Sequence, residues 1–309
     1  MMSDGILLID KGFGLTSSEA VQTAKKLTGS RKAGHAGTLD PLATGLLIVT
    51  LGKATKISAY LGNGRKRYRA KIKLGETRDT FDRLGKLIDR RKLDFTQLDL
   101  HSALKEFEGE IEQLIPPHSA AHVNGKRMYE LARKGEDLPV KKKVVRIYEL
   151  NVLEYQAPFL QIDIVCESGT YIRSIAHQLG EILGCGALLH SLARTESGRF
   201  KLKDAITLVQ LEAVIKMELF DDYMIPLDDA LTIPSIVIES HNSEDVRQGR
   251  TILERDVSLG DMHFSEGDSI IIKDNLGSLL AIGKALISSR ELKSSPSGTS
   301  KVFEYKRVI

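Results

Sequence analysis

The segment from Arg65 to Leu74 restricts the fold most, because its basic and apolar residues alternate almost perfectly. One face of an extended chain would carry Arg65, Arg67, Arg69, Lys71 and Lys73, and the other would carry Tyr68, Ala70, Ile72 and Leu74. A period of two is typical of a β-strand with one buried face. The sequence therefore predicts a strand here with Tyr68 directed inward, where a core tyrosine is the ordinary explanation.

Other segments predict further strands and helices. Apolar strands are expected at residues 5–10, 46–51, 144–155 and 160–166, and helices at residues 17–27, 96–107 and 171–183. The first helix follows a capping box from Thr16 to Glu19. From about Ser235, short alternating strands with turn signals predict a small β-barrel of about 75 residues. Residues 288–300 are polar and predict a loose loop before a last strand at 302–309.

A glycine-rich segment, Gly34 to Gly45, precedes the strand at 46–51 and carries a single carboxylate, Asp40. Glycine allows close approach to a ligand, and Pro41 favours an extended conformation at Asp40. The carboxylate is therefore presented on a loop beside His35, as a nucleophile in a cleft would be. An Asp before Pro is also a common turn former, so the segment alone leaves both interpretations open.

Composition limits the class of protein. The 309 residues are 42% hydrophobic, which is enough for a sizeable core and predicts two domains, or one large domain with an appendage. No segment is apolar enough to span a membrane and the N-terminus lacks a signal-peptide pattern, so a cytoplasmic protein is expected. Cys166 and Cys185 are too few for a disulfide framework and belong to no zinc motif, so both are expected to be buried.

Positive charge is concentrated around the candidate loop. Residues 1–75 hold 13 Lys or Arg against four Asp or Glu, although the net charge of the chain is only +3. More basic residues lie between Lys126 and Lys143. A positive field favours a polyanion. The charge distribution alone is equally compatible with a solvated surface that only keeps the protein soluble.

Several common chemistries lack their motifs. The chain has no Walker A sequence, no dinucleotide-binding glycine fingerprint, no zinc-deaminase signature and no serine elbow, and it shows no set of metal ligands. What remains is Asp40, the inward Tyr68, His35, and Arg173 near the start of a predicted helix. Solvent exposure is the commoner explanation of a lone arginine such as Arg173. Together, however, these residues suit cofactor-free chemistry on a nucleic acid base.

Four motifs resemble those of one enzyme family, the TruB-type tRNA pseudouridine-55 synthases. Gly34 to Gly45 looks like the family's nucleophile motif, and Lys66-Arg67-Tyr68 resembles its strand with an active-site tyrosine. Gly169 to Arg173 is similar to the motif that supplies a second tyrosine and an arginine. Leu183 to Ala187, followed by Leu192, resembles the stretch that closes the base pocket. Four motifs in this order make the resemblance specific, and it covers nearly the whole chain.

The resemblance implies an α+β fold with a mixed, mainly antiparallel central sheet flanked by helices, the pseudouridine synthase fold. It implies a catalytic domain at 1–230 with a thumb-like RNA-binding insertion at 116–139, and a PUA-like RNA-binding domain at 231–309 with a small β-barrel. The expected substrate is the T-arm of tRNA, recognised by its phosphates and shape. No cofactor, metal, guide RNA or protein partner is expected, and a monomer is expected.

The reaction implied by the resemblance converts uridine 55 of the T-loop to pseudouridine. The C1′–N1 bond breaks, the uracil turns, and C1′ joins C5. Asp40 would be the nucleophile and Arg173 its counter-ion, while Tyr68 would stack on the uracil and act as acid or base at C5. His35 would fill the gap left by the flipped base. Further substrate contacts are implied for Tyr171, Leu192 and Lys11. Attack on the base, attack on the sugar and removal of a sugar proton all stay open for Asp40.

The sequence departs from the family pattern at three positions. Gly12 follows Lys11 where proline is usual, and His118 and His122 stand where tyrosine and lysine are more typical. These changes concern the RNA contacts rather than the chemistry. A second class of protein also fits the basic surface, namely a non-catalytic RNA-binding protein or tRNA-folding chaperone. Unchanged tRNA refolding by an Asp40→Asn variant would show that this activity coexists with the first.

Overall fold

A computed structural model describes residues 4–116, 122–123, 126–127, 141–260, 262–294 and 298–309. The strands are β1 Gly5–Lys11, β2 Ala33–Ala36, β3 Ala43–Leu51, β4 Lys66–Leu74, β5 Glu76–Arg78, β6 Leu87–Arg90, β7 Gly109–Leu114, β8 His122–Val123, β9 Lys126–Arg127, β10 Lys142–Gln156, β11 Phe159–Cys166, β12 Ala187–Ser197, β13 Phe200–Lys201, β14 Met224–Pro226, β15 Ser235–Ile238, β16 Ser258–Leu259, β17 Ser269–Asp274, β18 Leu279–Ala285 and β19 Phe303–Val308. The helices are α1 Ser17–Thr28, α2 Ser58–Leu61, α3 Gln97–Lys105, α4 Ile172–Ile182, α5 Leu208–Lys216, α6 Ser243–Arg247 and α7 Ser289–Ser294.

One large sheet organises the first two thirds of the described chain. Its strands run in the order β14-β1-β3-β12-β4-β11-β10-β7, with β13 added to β12 and β2 added to β3. Neighbouring strands are antiparallel, except that β3 and β12 pair in parallel. The expected mixed, mainly antiparallel sheet is therefore confirmed.

The alternation that predicted β4 is confirmed by burial. Tyr68, Ala70, Ile72 and Leu74 are buried, while the residues between them are at least partly exposed. Strand β4 lies between β11 and β12 in the sheet. The apolar side chains of β4 belong to the same core as residues of the helices. Lys66 breaks the pattern, because it falls on the buried face although it is charged.

Strands β1 and β3 are buried on both faces, which explains their uninterrupted apolar sequences. Leu7 and Val49 belong to the core shared with α1, α3 and α4, whereas Leu8 and Ile48 belong to a second core under the C-terminal strands. Helix α1 begins with the predicted capping box, in which Thr16 and Glu19 cap each other's backbone. Helix α4 packs its buried face against β12 and β4.

The C-terminal segment forms a second sheet of five described strands in the order β16-β15-β17-β18-β19. Its end strands do not pair within the described residues, so closure into a barrel stays a prediction. The loose loop expected at 288–300 is wrong in its first half, where α7 forms. The reason is local, because Ser288 caps the helix through Glu291, and Leu292 is buried.

The thumb-like insertion expected at 116–139 lies mostly outside the described residues, and with it His118. The short β8–β9 pair and Pro116 are described, and the antiparallel register joins His122 to Arg127. The domain boundary expected at residue 230 stays a prediction.

Candidate active site

A cavity of about 300 Å³ opens where five segments meet. These are the loop between β2 and β3, the start of β4, the start of β10, the turn before α4, and the middle of β12. Five of the predicted site residues line the cavity: Asp40, Tyr68, Tyr171, Arg173 and Leu192. The sheet brings these segments together because β12 pairs with β3 on one side and with β4 on the other.

Asp40 and Arg173 form an ion pair, with 2.9 Å between the carboxylate Oδ2 and the guanidinium Nε. The Asp40 side chain is 39% exposed to the cavity side, while the Arg173 side chain is only 5% exposed. The arginine was expected near a helix start, and solvent exposure was its ordinary explanation. The structure instead buries it at the second residue of α4. The Asp40 carboxylate is therefore accessible to a substrate, whereas the Arg173 guanidinium that pairs with it is enclosed by the protein.

A second carboxylate, Asp82, holds the other side of Arg173. Its Oδ2 lies 3.6 Å from the Arg173 Nη1, which also donates to the carbonyl of Thr80 at 3.2 Å. Asp82 itself accepts from the Thr80 hydroxyl and the Leu84 amide. The sequence interpretation missed Asp82, since it stands in a polar loop with no periodicity to mark its burial.

The backbone next to Asp82 is held in an unfavourable conformation. Phe81 has φ of 62°, which is rare for a non-glycine residue. Its ring stacks on His177 at 3.9 Å between centroids, and its carbonyl accepts from the Leu189 amide. Local strain of this kind persists where the surroundings fix it. These contacts fix the residue that precedes Asp82 against α4 and β12.

Tyr68 lies on the buried face of β4, opposite Arg194 of β12 and Ile164 of β11. Burial raises the pKa of its phenol, and the nearby Arg194 guanidinium opposes that rise only in part. The neutral phenol is favoured, which suits stacking and hydrogen-bond donation.

Arg194 anchors the glycine-rich loop from below and was missed by the sequence interpretation. It is fully buried, and its Nε donates to the Leu46 carbonyl at 2.8 Å while its Nη2 donates to the Gly37 carbonyl at 3.0 Å. Gly45 permits this close approach, because a Cβ there would lie 2.4 Å from the Arg194 carbonyl oxygen. No sequence pattern distinguishes Arg194 from the other basic residues of the chain.

Tyr171 is fixed by a buried glutamine. Gln113 of β7 accepts from the Tyr171 amide at 2.8 Å and donates to the Tyr171 carbonyl at 2.9 Å. The Lys143 ammonium lies 4.4 Å from the centre of the Tyr171 ring. Leu192, on the opposite wall, is buried, and its carbonyl accepts from the Thr44 hydroxyl.

Two expected RNA contacts lie away from the cavity wall. Lys11 is buried and donates to the carbonyls of Gly12 and Leu15, so it stabilises this turn. The expected contact of Lys11 with the substrate or RNA stays a prediction. His35 lies on β2, partly exposed, and burial lowers its pKa. Its use as a wedge stays a prediction.

The basic face of β4 is directed away from Tyr68 and is partly neutralised. Arg67 pairs with Glu149 at 2.7 Å, and both Arg67 and Arg69 lie within 4 Å of Asp163. Lys73 pairs with Glu76. These residues are consequently less available to phosphates than their sequence pattern indicated.

Cys166 and Cys185 are both buried and free, as expected. Across the described ranges, no group of three or more histidine, cysteine or acidic residues could hold a metal ion. Among the helices that the structure describes, none is both long and apolar enough to cross a membrane.

A partly exposed loop aspartate held by a buried arginine, with a tyrosine in the same cavity, is the arrangement that the resemblance to pseudouridine synthases implies. Two family models match the chain: the TruB family pseudouridylate synthase N-terminal domain over residues 25–172, and the tRNA pseudouridylate synthase B C-terminal domain over residues 173–232. The chain belongs to the TruB family of tRNA pseudouridine synthases.

Curated relatives share most of the length of this chain. The tRNA pseudouridine synthase B of Clostridium kluyveri is 35% identical over 99% of this chain and 98% of its own. That of Thiobacillus denitrificans is 40% identical over 87% of this chain and 90% of its own. Among solved structures, one of a Cbf5-Nop10-Gar1 complex matches with a TM-score of 0.77 and 30% identity, covering 98% of this chain and 84% of that chain.

Proposed function

We propose that this enzyme converts uridine 55 in the T-loop of tRNA to pseudouridine, with Asp40 as the nucleophile. The observation that carries the proposal is the Asp40–Arg173 ion pair of 2.9 Å in a cavity that Tyr68 also lines. The carboxylate is accessible and its partner is buried, so a substrate can reach Asp40 without displacing the arginine. The similarity to tRNA pseudouridine synthases B supports tRNA as the substrate.

The buried residues around Asp40 have different roles in the proposed reaction. Arg173 balances the charge of the nucleophile, and Asp82 holds Arg173 from its other side. Tyr68 stacks against the uracil. Since burial favours its neutral phenol, Tyr68 acts as a hydrogen-bond or proton donor before it can act as a base.

The target base must leave the T-loop to reach this cavity. Flipping a base costs a few kcal/mol in lost stacking and pairing. His35, two residues before the loop glycine Gly37, fills the space that the base vacates. Tyr171 and Leu192 enclose the flipped base from opposite walls of the cavity.

RNA outside the target nucleotide contacts other parts of the chain. We assign catalysis to residues 1–230, with an RNA-gripping insertion at 116–139, and RNA binding to a PUA-like domain at 231–309. The enzyme acts as a monomer on the T-arm and needs neither cofactor nor guide RNA. Structures of Cbf5 with Nop10 and of an H/ACA RNP with substrate RNA share the fold, so dependence on partners is the alternative to exclude.

The proposal is tested by incubating the purified protein alone with a T-arm transcript and mapping pseudouridine at each uridine. Wild type should modify uridine 55, and Asp40→Asn should abolish product while binding RNA with unchanged affinity, since it removes an acidic group. Asp222→Asn, at an exposed position, is the matched control. Modification at a different uridine, or activity only after another RNA or protein is added, would contradict the proposal.

A further inference from the structure

Lys66 is a buried cation whose ammonium has no hydrogen bond or ion pair to any described residue. It is the first residue of β4, 5% exposed, and it lines the catalytic cavity with Asp40 and Tyr68. Its Nζ lies next to the loop glycine, 2.8 Å from where a Cβ of Gly37 would stand. A buried charge without a partner is costly to a fold, so its presence at a cavity indicates a ligand.

The charges around the cavity leave a positive excess. Arg194 is buried behind the same loop, and burial of Lys66 together with the Arg194 charge lowers the pKa of Lys66 to about 8. The two described carboxylates nearby, Asp40 and Asp82, both pair with Arg173. Lys66 and Arg194 thus have no carboxylate partner in the described part of the chain, and an anionic group of the substrate would complete the site.

The burial of Lys66 within the cavity determines which part of a bound nucleotide its ammonium can contact. Lys66 lines the same cavity as the buried Tyr68, on which the uracil of the proposed substrate stacks. A nucleotide enters such a pocket base first, and its phosphates stay near the mouth, where Asp40 is exposed. A carbonyl oxygen of the base is therefore the group within its reach.

We propose that Lys66 is a catalytic residue, whose ammonium donates a hydrogen bond to a uracil carbonyl oxygen and stabilises the negative charge that the base acquires during the reaction. This inference rests on the proposed function, because it requires a uridine in the cavity. Fixed donors aimed at developing charge in a water-poor site contribute more than they would in water.

The electron count requires such a donor in each version of the mechanism. When the C1′–N1 bond breaks, its electron pair stays on the uracil and spreads to O2 and O4. Attack of Asp40 on the ring would also place charge on a carbonyl oxygen. Bond formation between C5 and C1′ consumes the charge, and the proton lost from C5 is balanced by a proton gained at N1. Lys66 donates a hydrogen bond throughout and transfers no proton.

The test is Lys66→Met, which keeps the length of the side chain and removes its charge. Three quantities are measured: the single-turnover rate at saturating enzyme, the dissociation constant for T-arm RNA, and the melting temperature. We expect the rate to fall about 100- to 1,000-fold, as for the loss of one oxyanion donor. The dissociation constant should change less than about threefold. The melting temperature should stay equal or rise, because an unpaired buried charge is removed. Lys203→Met, at an exposed position, is the control.

Each alternative has its own signature. A rate within about threefold of wild type refutes the role of Lys66. A weakened dissociation constant with an intact saturating rate would assign Lys66 to a phosphate and also refute it. A lowered melting temperature with a proportionate loss of rate and binding would make it structural. If Lys66→Met does not fold, Lys66→Gln carries the same measurements. Wild type that makes no pseudouridine would instead refute the proposed function.

Discussion

Replacing Arg194 by methionine should destabilise the enzyme and slow its reaction. The guanidinium holds the catalytic loop through the carbonyls of Gly37 and Leu46, at 3.0 and 2.8 Å. Methionine reaches about as far as the Arg194 Nε and has no donor. The two carbonyls would therefore lose their charged partner in a fully buried place.

The magnitude follows from two opposing contributions. A hydrogen bond to a charged group contributes about 1.5–3 kcal/mol, so the two bonds together contribute about 3–6 kcal/mol. The substitution also removes a buried cation that helps to lower the pKa values of Lys11 and Lys66. Relief of that repulsion returns about 1–2 kcal/mol at the effective dielectric of protein interiors. The free energy of unfolding should fall by about 1–5 kcal/mol.

Urea denaturation followed by circular dichroism measures the change, and an exposed substitution, Arg31→Met, should stay within about 0.5 kcal/mol of wild type. Below the melting transition, the rate should fall about tenfold to a hundredfold, because the loop that carries Asp40 loses its anchor and small displacements are costly to catalysis. A loss below about 1 kcal/mol with an unchanged rate would refute the anchoring role of Arg194.

Three further predictions concern single groups. Asp82→Asn keeps the acceptor for the Leu84 amide but removes the negative charge beside Arg173. The single-turnover rate should fall at least about tenfold with RNA affinity unchanged. A rate equal to that of wild type would exclude Asp82 from positioning Arg173. Tyr68→Phe retains stacking and loses the hydroxyl, so the rate should fall about 100-fold or more while RNA binding persists, and a rate near wild type would limit Tyr68 to stacking. The contribution of Lys66 to the free energy of unfolding should rise between pH 8 and 10.5, because burial lowers its pKa to about 8 and the unfolded chain therefore keeps this proton to higher pH. Buried groups with raised pKa values, such as Cys166, change the stability in the opposite sense, so the quantity to measure by pH-dependent denaturation is the difference between wild type and Lys66→Met, which should shift in favour of wild type across this window.

Local patterns predicted most of the secondary structure. The alternation in β4, the capping box of α1 and the apolar run of β3 each appear in the structure within a few residues of their expected bounds. Two helices were missed although their caps were readable, α7 through Ser288 and Glu291 and α5 through Thr207 and Gln210, and the central strand β12 was missed as well. Short-range chemistry such as capping acts within one turn of chain, so sequence spacing is sufficient to show it.

The candidate site was predictable in its identity but only partly in its geometry. The glycine-rich loop marked Asp40, and the motif order linked it to Tyr68 and Arg173. That these three residues line one cavity follows only from the tertiary structure. The burial of Lys11 was not predictable either, because the burial of a lysine depends on what packs over it.

The sequence by itself determined the strands and helices, the loop that presents Asp40, and the membership of a pseudouridine synthase family. The tertiary structure alone decided which charges are buried and what they contact. Arg194 meets Gly37 across 157 positions of sequence, and Arg173 meets Thr80 across 93. Contacts at such separations arise when β12 and α4 pack against β3 and β4. No periodicity encodes them, since periodicity reports only which face of one element is apolar.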